Sequence, residues 1–272
     1  MGWKQLETQL KKGSSSDPVR MVPFLTVGFP DVEATLELVP VLEQAGAAVI
    51  ELGVPFSDPL GEGPTIQKSS FHALNQGVTL AQCLEVAAEL RKRGVRVPLV
   101  LMGYYNPFLA YGLVAVAAAA KKSGVDGFII PDLPVDEIGP MLEACQRHEI
   151  ALIPLLAPTS TDERIKETCA SARGFIYCVG LLGVTGARSE PSPEAATLVQ
   201  RVRKSTELPL TVGFGISRKE HIDALADIVD AVAVGSALVD VIADATPGDR
   251  ITKVKAFMEG LGVIPETTGG TR

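Results

Sequence analysis

The sequence predicts an α/β fold: a single (β/α)8 barrel of the TIM type, with an N-terminal helix and extra helices in the loops after strands 2 and 8. Three observations predict it. Short runs rich in Val, Ile, Leu and Phe recur eight times along the 272 residues, most of them lack apolar/polar alternation, and segments with helical spacing lie between them. Runs without alternation are how strands look when both faces are buried in a parallel sheet under helices. Eightfold alternation of such strands with helices in about 250 residues suits a closed barrel better than an open doubly wound sheet.

The elements follow in order. MGWKQLETQLKKG reads as a short amphipathic helix whose charges run through its length, the character of neither a secretory signal nor an anchor. MVPFLTVG (Met21 to Gly28) is the first strand, and DVEATLELVPVLEQAG its helix, with Pro40 inside the pattern. AAVIELGV (Ala47 to Val54) is the second. Its connection, Pro55 to Pro98, is longer than one helix needs and ends on TLAQCLEVAAELRKRG, with Leu80, Leu84, Ala87 and Ala88 on one face. VPLVLMGYYN and LVAVAAAAKKSG form the third pair. DGFIIP and DEIGPMLEACQRHE form the fourth, with Pro140 able to shift the helix boundary. IALIPLLAP and TDERIKETCASARG are the fifth. GFIYCVG, the sixth strand, leads through the glycine-rich LLGVTGARSEPSP to SPEAATLVQRVRKS, whose apolar stripe is Leu198, Val199 and Val202. LPLTVGFGI and SRKEHIDALAD are the seventh pair. VDAVAVGSALV, the eighth strand, runs into a short extra helix in VGSALVDVIADA, and DRITKVKAFMEGL closes the series. Several helices open on Ser, Thr or Asp and close on Gly, as caps should. No linker splits the chain, so residues 1–264 read as one domain and PETTGGTR, residues 265–272, as a disordered tail.

Composition narrows the function. A formal charge of -7 without a basic block argues against nucleic acid or an anionic membrane as partner and for a small soluble ligand. The longest apolar run, Leu113 to Ala120, falls far short of the roughly 18 residues of a membrane span. Cys83, Cys145, Cys169 and Cys178 form no CxxC pair and read as free thiols of a cytoplasmic protein. His72, His148 and His221 are scattered without metal-ligand spacing, and GFGISRK lacks the third glycine of a dinucleotide fingerprint. No metal or cofactor is implied for this chain.

The chemistry concentrates in ELGVPFSDPLGEGPTIQ (Glu51 to Gln67). Glu51 falls inside an otherwise apolar run. A buried carboxylate satisfied by an ion pair would explain it; so would a general acid/base at the barrel mouth, its pKa raised by apolar surroundings, and its place at a strand end favours the second. Asp58 and Glu62 could be solvated loop residues, but Gly61, Gly63 and Pro64 around Glu62 indicate a fixed loop shape. Two carboxylates reaching one site from a strand end and its loop can divide the roles of base and charge stabiliser. In the second half, GVTG, VGFGIS and VGSAL follow late strands, where barrel loops and a short extra helix commonly bind phosphate through backbone N–H groups.

PFLTVGFPD, ELGVPFSDPL with GPTIQ, LMGYYNP, PDLPVDE, GVTGAR, VGFGIS and VGSALV, in order over nearly the whole chain, resemble the α subunit of tryptophan synthase. The resemblance implies a lyase that splits indole-3-glycerol phosphate into indole and glyceraldehyde 3-phosphate by retro-aldol cleavage. Glu51 matches the family's catalytic Glu. Glu62 stands where an Asp that accepts the indole N–H is usual, LGEGP replacing LADGP, and the added methylene puts its carboxylate position in question. By the same matching, Gly186, Gly215, Gly235 and Ser236 would hold the phosphate, and Phe24, Met102, Ile129, Tyr177, Thr185 and Phe214 would line the indole pocket. Gly180 replaces a Ser frequent in relatives. Asp58 would contact a β subunit that carries pyridoxal phosphate and receives the indole in an α2β2 heterotetramer. Two other readings stay open: another phosphate-binding barrel acting on a phosphorylated sugar or ribotide, and an α-like regulatory partner with little catalysis of its own.

Overall fold

The computed structural model describes residues 2–14, 16–180, 193–213 and 215–262, Pro193 by its backbone alone. In order these form α1 (Trp3–Leu10), β1 (Arg20–Thr26), α2 (Val32–Gln44), β2 (Ile50–Gly53), α3 (Pro64–Asn75), α4 (Leu80–Lys92) and β3 (Leu99–Met102). Then come α5 (Tyr105–Tyr111), α6 (Leu113–Ser123), β4 (Gly127–Ile129), α7 (Gly139–Arg147), β5 (Ala151–Ile153), β6 (Leu155–Leu156) and α8 (Asp162–Ser171). The remainder is β7 (Ile176–Val179), α9 (Pro193–Arg203), β8 (Leu210–Gly213), α10 (Lys219–Asp223), β9 (Ala231–Val234), α11 (Ser236–Ala243) and α12 (Arg250–Gly260).

All pairings between named strands are parallel, in the order β5-β4-β3-β2-β1-β9-β8-β7-β6. The two ends of that order are halves of one stave, Ala151 to Leu156, divided at Pro154, so the sheet closes on itself as the predicted eight-stave barrel. Pro154 has no N–H to give a ladder. Its carbonyl still accepts from the Tyr177 N–H at 3.0 Å, and pairing passes from β4 on one side to β7 on the other.

Each predicted run contains its strand except the first, where β1 begins one residue earlier at Arg20, and alternation along the strands builds two cores. Met21, Leu25, Ile50, Leu52, Leu99 and Leu101 join the layer between barrel and helices, with Leu38, Leu42 and Leu90 from the helices. Val22, Phe24, Val100, Met102, Phe175 and Tyr177 pack inside the barrel. α1 supplies Leu6 and Leu10, both fully buried, to that interior, while the Glu7 carboxylate accepts the Gly174 N–H at 3.1 Å. The N-terminal helix is therefore the floor of the barrel.

The predicted extra helices are present as α3 and α11, and caps follow the sequence signals: Asp31 accepts from the Ala34 N–H at 2.7 Å, and Thr79 with Gln82 forms a capping box. Two boundaries differ from expectation. The third run stops as a strand at Met102, and YNPFLAY forms α5 with Pro107 in its first turn, where a missing N–H costs no hydrogen bond. The helix expected from Asp136 begins at Gly139 with Pro140 in its opening turn, preceded by a 3-10 turn at Val135–Glu137. Pro40 lies within a continuous α2. The tail 265–272 falls outside the described residues.

Candidate active site

Glu51 occupies the second position of β2, level with Phe24 of β1 and Val100 of β3. Because side chains alternate along a strand, Ile50 and Leu52 turn outward and Glu51 turns into the barrel. It is 1% exposed, and its Oε1 has no hydrogen-bond partner among the described residues. Other buried carboxylates are treated differently. Asp126, before β4, holds Arg91 at 2.8 Å and the Leu99 N–H at 3.1 Å; Asp230, before β9, pairs with Arg203 and takes the Leu210 N–H at 2.8 Å. Both stand at the N-terminal ends of strands, where barrels place stabilising groups, whereas Glu51 faces the end where they place chemistry. Burial, and secondarily the charge of Glu62, raises the Glu51 pKa well above its ordinary value.

The loop after β2 is fixed at several points. The Phe56 N–H donates to Ser70 Oγ at 2.8 Å and Ser70 Oγ donates to the Phe56 carbonyl at 2.9 Å, while the Phe56 ring stacks on Tyr104 at 5.2 Å. The Gly61 N–H donates to the Tyr104 hydroxyl at 2.8 Å, the Glu62 N–H to the Pro59 carbonyl at 3.0 Å, and the Gln67 amide to the Glu62 carbonyl at 2.9 Å. Glu62 is left half-buried on the wall of the cavity that Glu51 also lines, its pKa raised by burial. Asp58 is exposed, takes the Ser57 hydroxyl at 2.5 Å and is not part of the cavity wall; neighbouring Leu60 is 89% exposed.

The cavity has a volume of about 330 Å³. Phe24, Met102 and Tyr177 line it, as do Gly215, Gly235 and Ser236. Two glycines make room for the aromatic rings. A Cβ at Gly53 would come within 2.4 Å of the Phe24 ring, and one at Gly213 within 2.0 Å of the Tyr177 hydroxyl. Tyr177 is buried, its pKa raised well above the ordinary value by burial and then by Glu51 and Glu62, so it stays a neutral phenol beside the carboxyl groups.

Gly215 has φ +83°, a left-handed conformation that suits glycine, and Gly235 precedes α11 without any side-chain cap. Every charged group on the described cavity wall is a carboxylate: Glu51, Glu62 and Asp240. Among the described residues, the groups on this wall suited to an anion are backbone N–H groups, the N-terminus of α11 and the Ser236 hydroxyl.

Of the other predicted residues, Ile129 is fully buried in the barrel interior with Met102 and Tyr177 and does not line the cavity. Thr185, Gly186 and Phe214 lie outside the described residues. Sequence reading missed Tyr104, Ser70, Ile66 and Asp240, because what makes each of them part of the site is a partner distant in sequence. Among the cysteines, burial pushes Cys145 and Cys178 up to about 12, which keeps them as thiols.

A closed parallel barrel, with a buried carboxyl and a second carboxylate lining one cavity beside glycine-bearing turns, has the architecture of a (β/α)8 enzyme. The family profile "Tryptophan synthase alpha chain" matches residues 10–262. The tryptophan synthase alpha chain of Chloroflexus aggregans is 48% identical over 247 residues, covering 91% of this chain and 92% of that one. Among solved structures, the alpha chain from Legionella pneumophila superposes with a TM-score of 0.85 at 32% identity, covering 98% of this chain and 99% of its own. The tryptophan synthase a2b2 complex from Pyrococcus furiosus gives 0.82 at 36%, covering 90% and 98%. The chain belongs to the tryptophan synthase alpha chain family.

Proposed function

We propose that Glu51 and Glu62 carry the α reaction in this cavity, the retro-aldol cleavage of indole-3-glycerol phosphate to indole and glyceraldehyde 3-phosphate. The single observation that carries this reading is Glu51: a buried carboxyl with an oxygen unpartnered among the described residues, lining one cavity with a second carboxylate. Two carboxyl groups whose environments raise their pKa values unequally divide acid and base roles. Glu51, the drier, gives its proton to indole C3, and Glu62 accepts the N1–H hydrogen bond and stabilises the positive ring. Glu51, now a carboxylate, takes the proton of the adjacent glycerol hydroxyl. The C3–C3′ bond breaks, its electrons restore the neutral indole, and the hydroxyl carbon leaves as the aldehyde. Net, one proton moves from that hydroxyl to C3 and Glu51 is regenerated.

In the same reading, the backbone of Gly215 and Gly235, with Ser236 and with Gly186 by family matching, holds the phosphate. Phe24, Met102 and Tyr177 flank the indole, joined by Thr185 and Phe214 and backed by Ile129, again by family matching. The chain works as the α subunit of an α2β2 enzyme in tryptophan synthesis, pyridoxal phosphate residing on the β subunit. Asp58, exposed beside Leu60, lies on the surface that would meet that partner. No helix among the described residues is long and apolar enough to cross a membrane; a cytoplasmic location fits the reading.

The purified chain should release indole from indole-3-glycerol phosphate slowly alone and faster with a β subunit. Absence of indole in both conditions would sink the assignment. Glu62→Asp, which restores the residue usual in relatives, should cleave at least as fast as the parent; a large loss would show a pocket adapted to the longer side chain.

A further inference from the structure

We propose that Asp240 is a positioning residue for Glu62, acting through Thr65. This rests on the role given to Glu62 above. Thr65 is the second residue of α3, three places beyond Glu62, and its hydroxyl donates to Asp240 Oδ1 of α11 at 2.9 Å. Between Glu62 and Thr65 stand Gly63, where an added Cβ would meet nothing within 4 Å, and Pro64. The segment that carries Glu62 thus enters α3 through a glycine in open space, and α3 begins without a side-chain cap of its own. Thr65 is the point at which that first turn is tied across to another element.

The place of the tie gives it meaning. Asp240 is four residues from Ser236, one turn along the same face of α11. Both line the cavity with Glu62. One helix therefore presents its N-terminus to the anion cradle and, a turn later, grips the segment bearing the indole-side carboxylate. As a charge, Asp240 would only repel a phosphate, and no cation lies on the wall among the described residues to offset it. Its use is as a hydrogen-bond acceptor that sets the distance between the two halves of the site.

The test compares Thr65→Val, Asp240→Ala, their double variant and Asp240→Asn in the full chain with its β subunit, reading kcat and KM for indole-3-glycerol phosphate. The segment 60–68 is also followed by amide hydrogen exchange. Each of Thr65→Val and Asp240→Ala should lower kcat about five- to tenfold, the scale of one net hydrogen bond, with KM changed by less than about threefold. The double variant should be no worse than the poorer single, because both remove one interaction. Asp240→Asn keeps an acceptor oxygen and should retain kcat within about threefold. Exchange of 60–68 should quicken in Thr65→Val and Asp240→Ala but not in Asp240→Asn. Multiplying losses in the double variant, a change confined to KM, or an Asp240→Asn as impaired as Asp240→Ala would each overturn the proposal. If the parent releases no indole, the lyase reading fails while the exchange pattern still decides whether the tie exists.

Discussion

Glu51→Gln should lower indole release by on the order of 10³-fold while leaving the affinity for a glycerol phosphate analogue unchanged, and should make the protein more stable at neutral pH. The first half follows from the role proposed for Glu51, which both gives and takes the proton. The second follows from burial. In the folded protein, the Glu51 pKa lies well above the ordinary 4.5; in the unfolded chain it does not. Between those values the folded state binds a proton that the unfolded chain has released, so stability is fully present below about pH 4.5 and falls as pH rises towards the folded pKa. Gln cannot ionise and escapes that decline. Thermal melts of parent and variant between about pH 4 and pH 8 should therefore diverge in favour of the variant as pH rises. Parallel melting profiles would mean that the carboxyl is hydrated, and retained turnover would remove Glu51 from the mechanism.

Gly213→Ala should be the most damaging small substitution near the site. The new methyl would sit 2.0 Å from the Tyr177 hydroxyl and 2.5 Å from its ring carbon Cζ, distances no repacking can absorb without moving the ring. Tyr177 is buried except where it lines the cavity, so displacement sends its ring into that space. An overpacking penalty of about 1–3 kcal/mol and a drop in kcat/KM of about a hundredfold are expected. Steady-state kinetics together with a melting curve check both; a variant with parental turnover would show that the ring position is immaterial.

Much of this site was legible in sequence because its signals are local. Glu51 stands out as one charge in an apolar run, and the glycine turns announce themselves by composition. The same local signal is ambiguous alone, since Asp126 and Asp230 also border apolar runs yet hold Arg91 and Arg203. Position along the strand separates them: the aspartates precede their strands and Glu51 is within its own. What sequence could not give is pairing at a distance. The contacts Gly61 to Tyr104, Phe56 to Ser70 and Thr65 to Asp240 join residues 43, 14 and 175 positions apart, and no periodicity encodes them. YYNPFLAY was hidden as a helix because its proline and short length resemble a strand exit, until the first-turn location of Pro107 makes the proline harmless.

The floor made by α1 ties the start of the chain to events at the opposite mouth. Leu6 and Leu10 belong to the same continuous packing that reaches Met102 and Tyr177, so the dryness that sets the acidity of Glu51 is enforced from beneath as well as from the cavity side. A fusion tag placed ahead of Trp3 thus perturbs at long range the group proposed as proton donor, and the pH optimum of an N-terminally tagged preparation need not be that of the untagged chain.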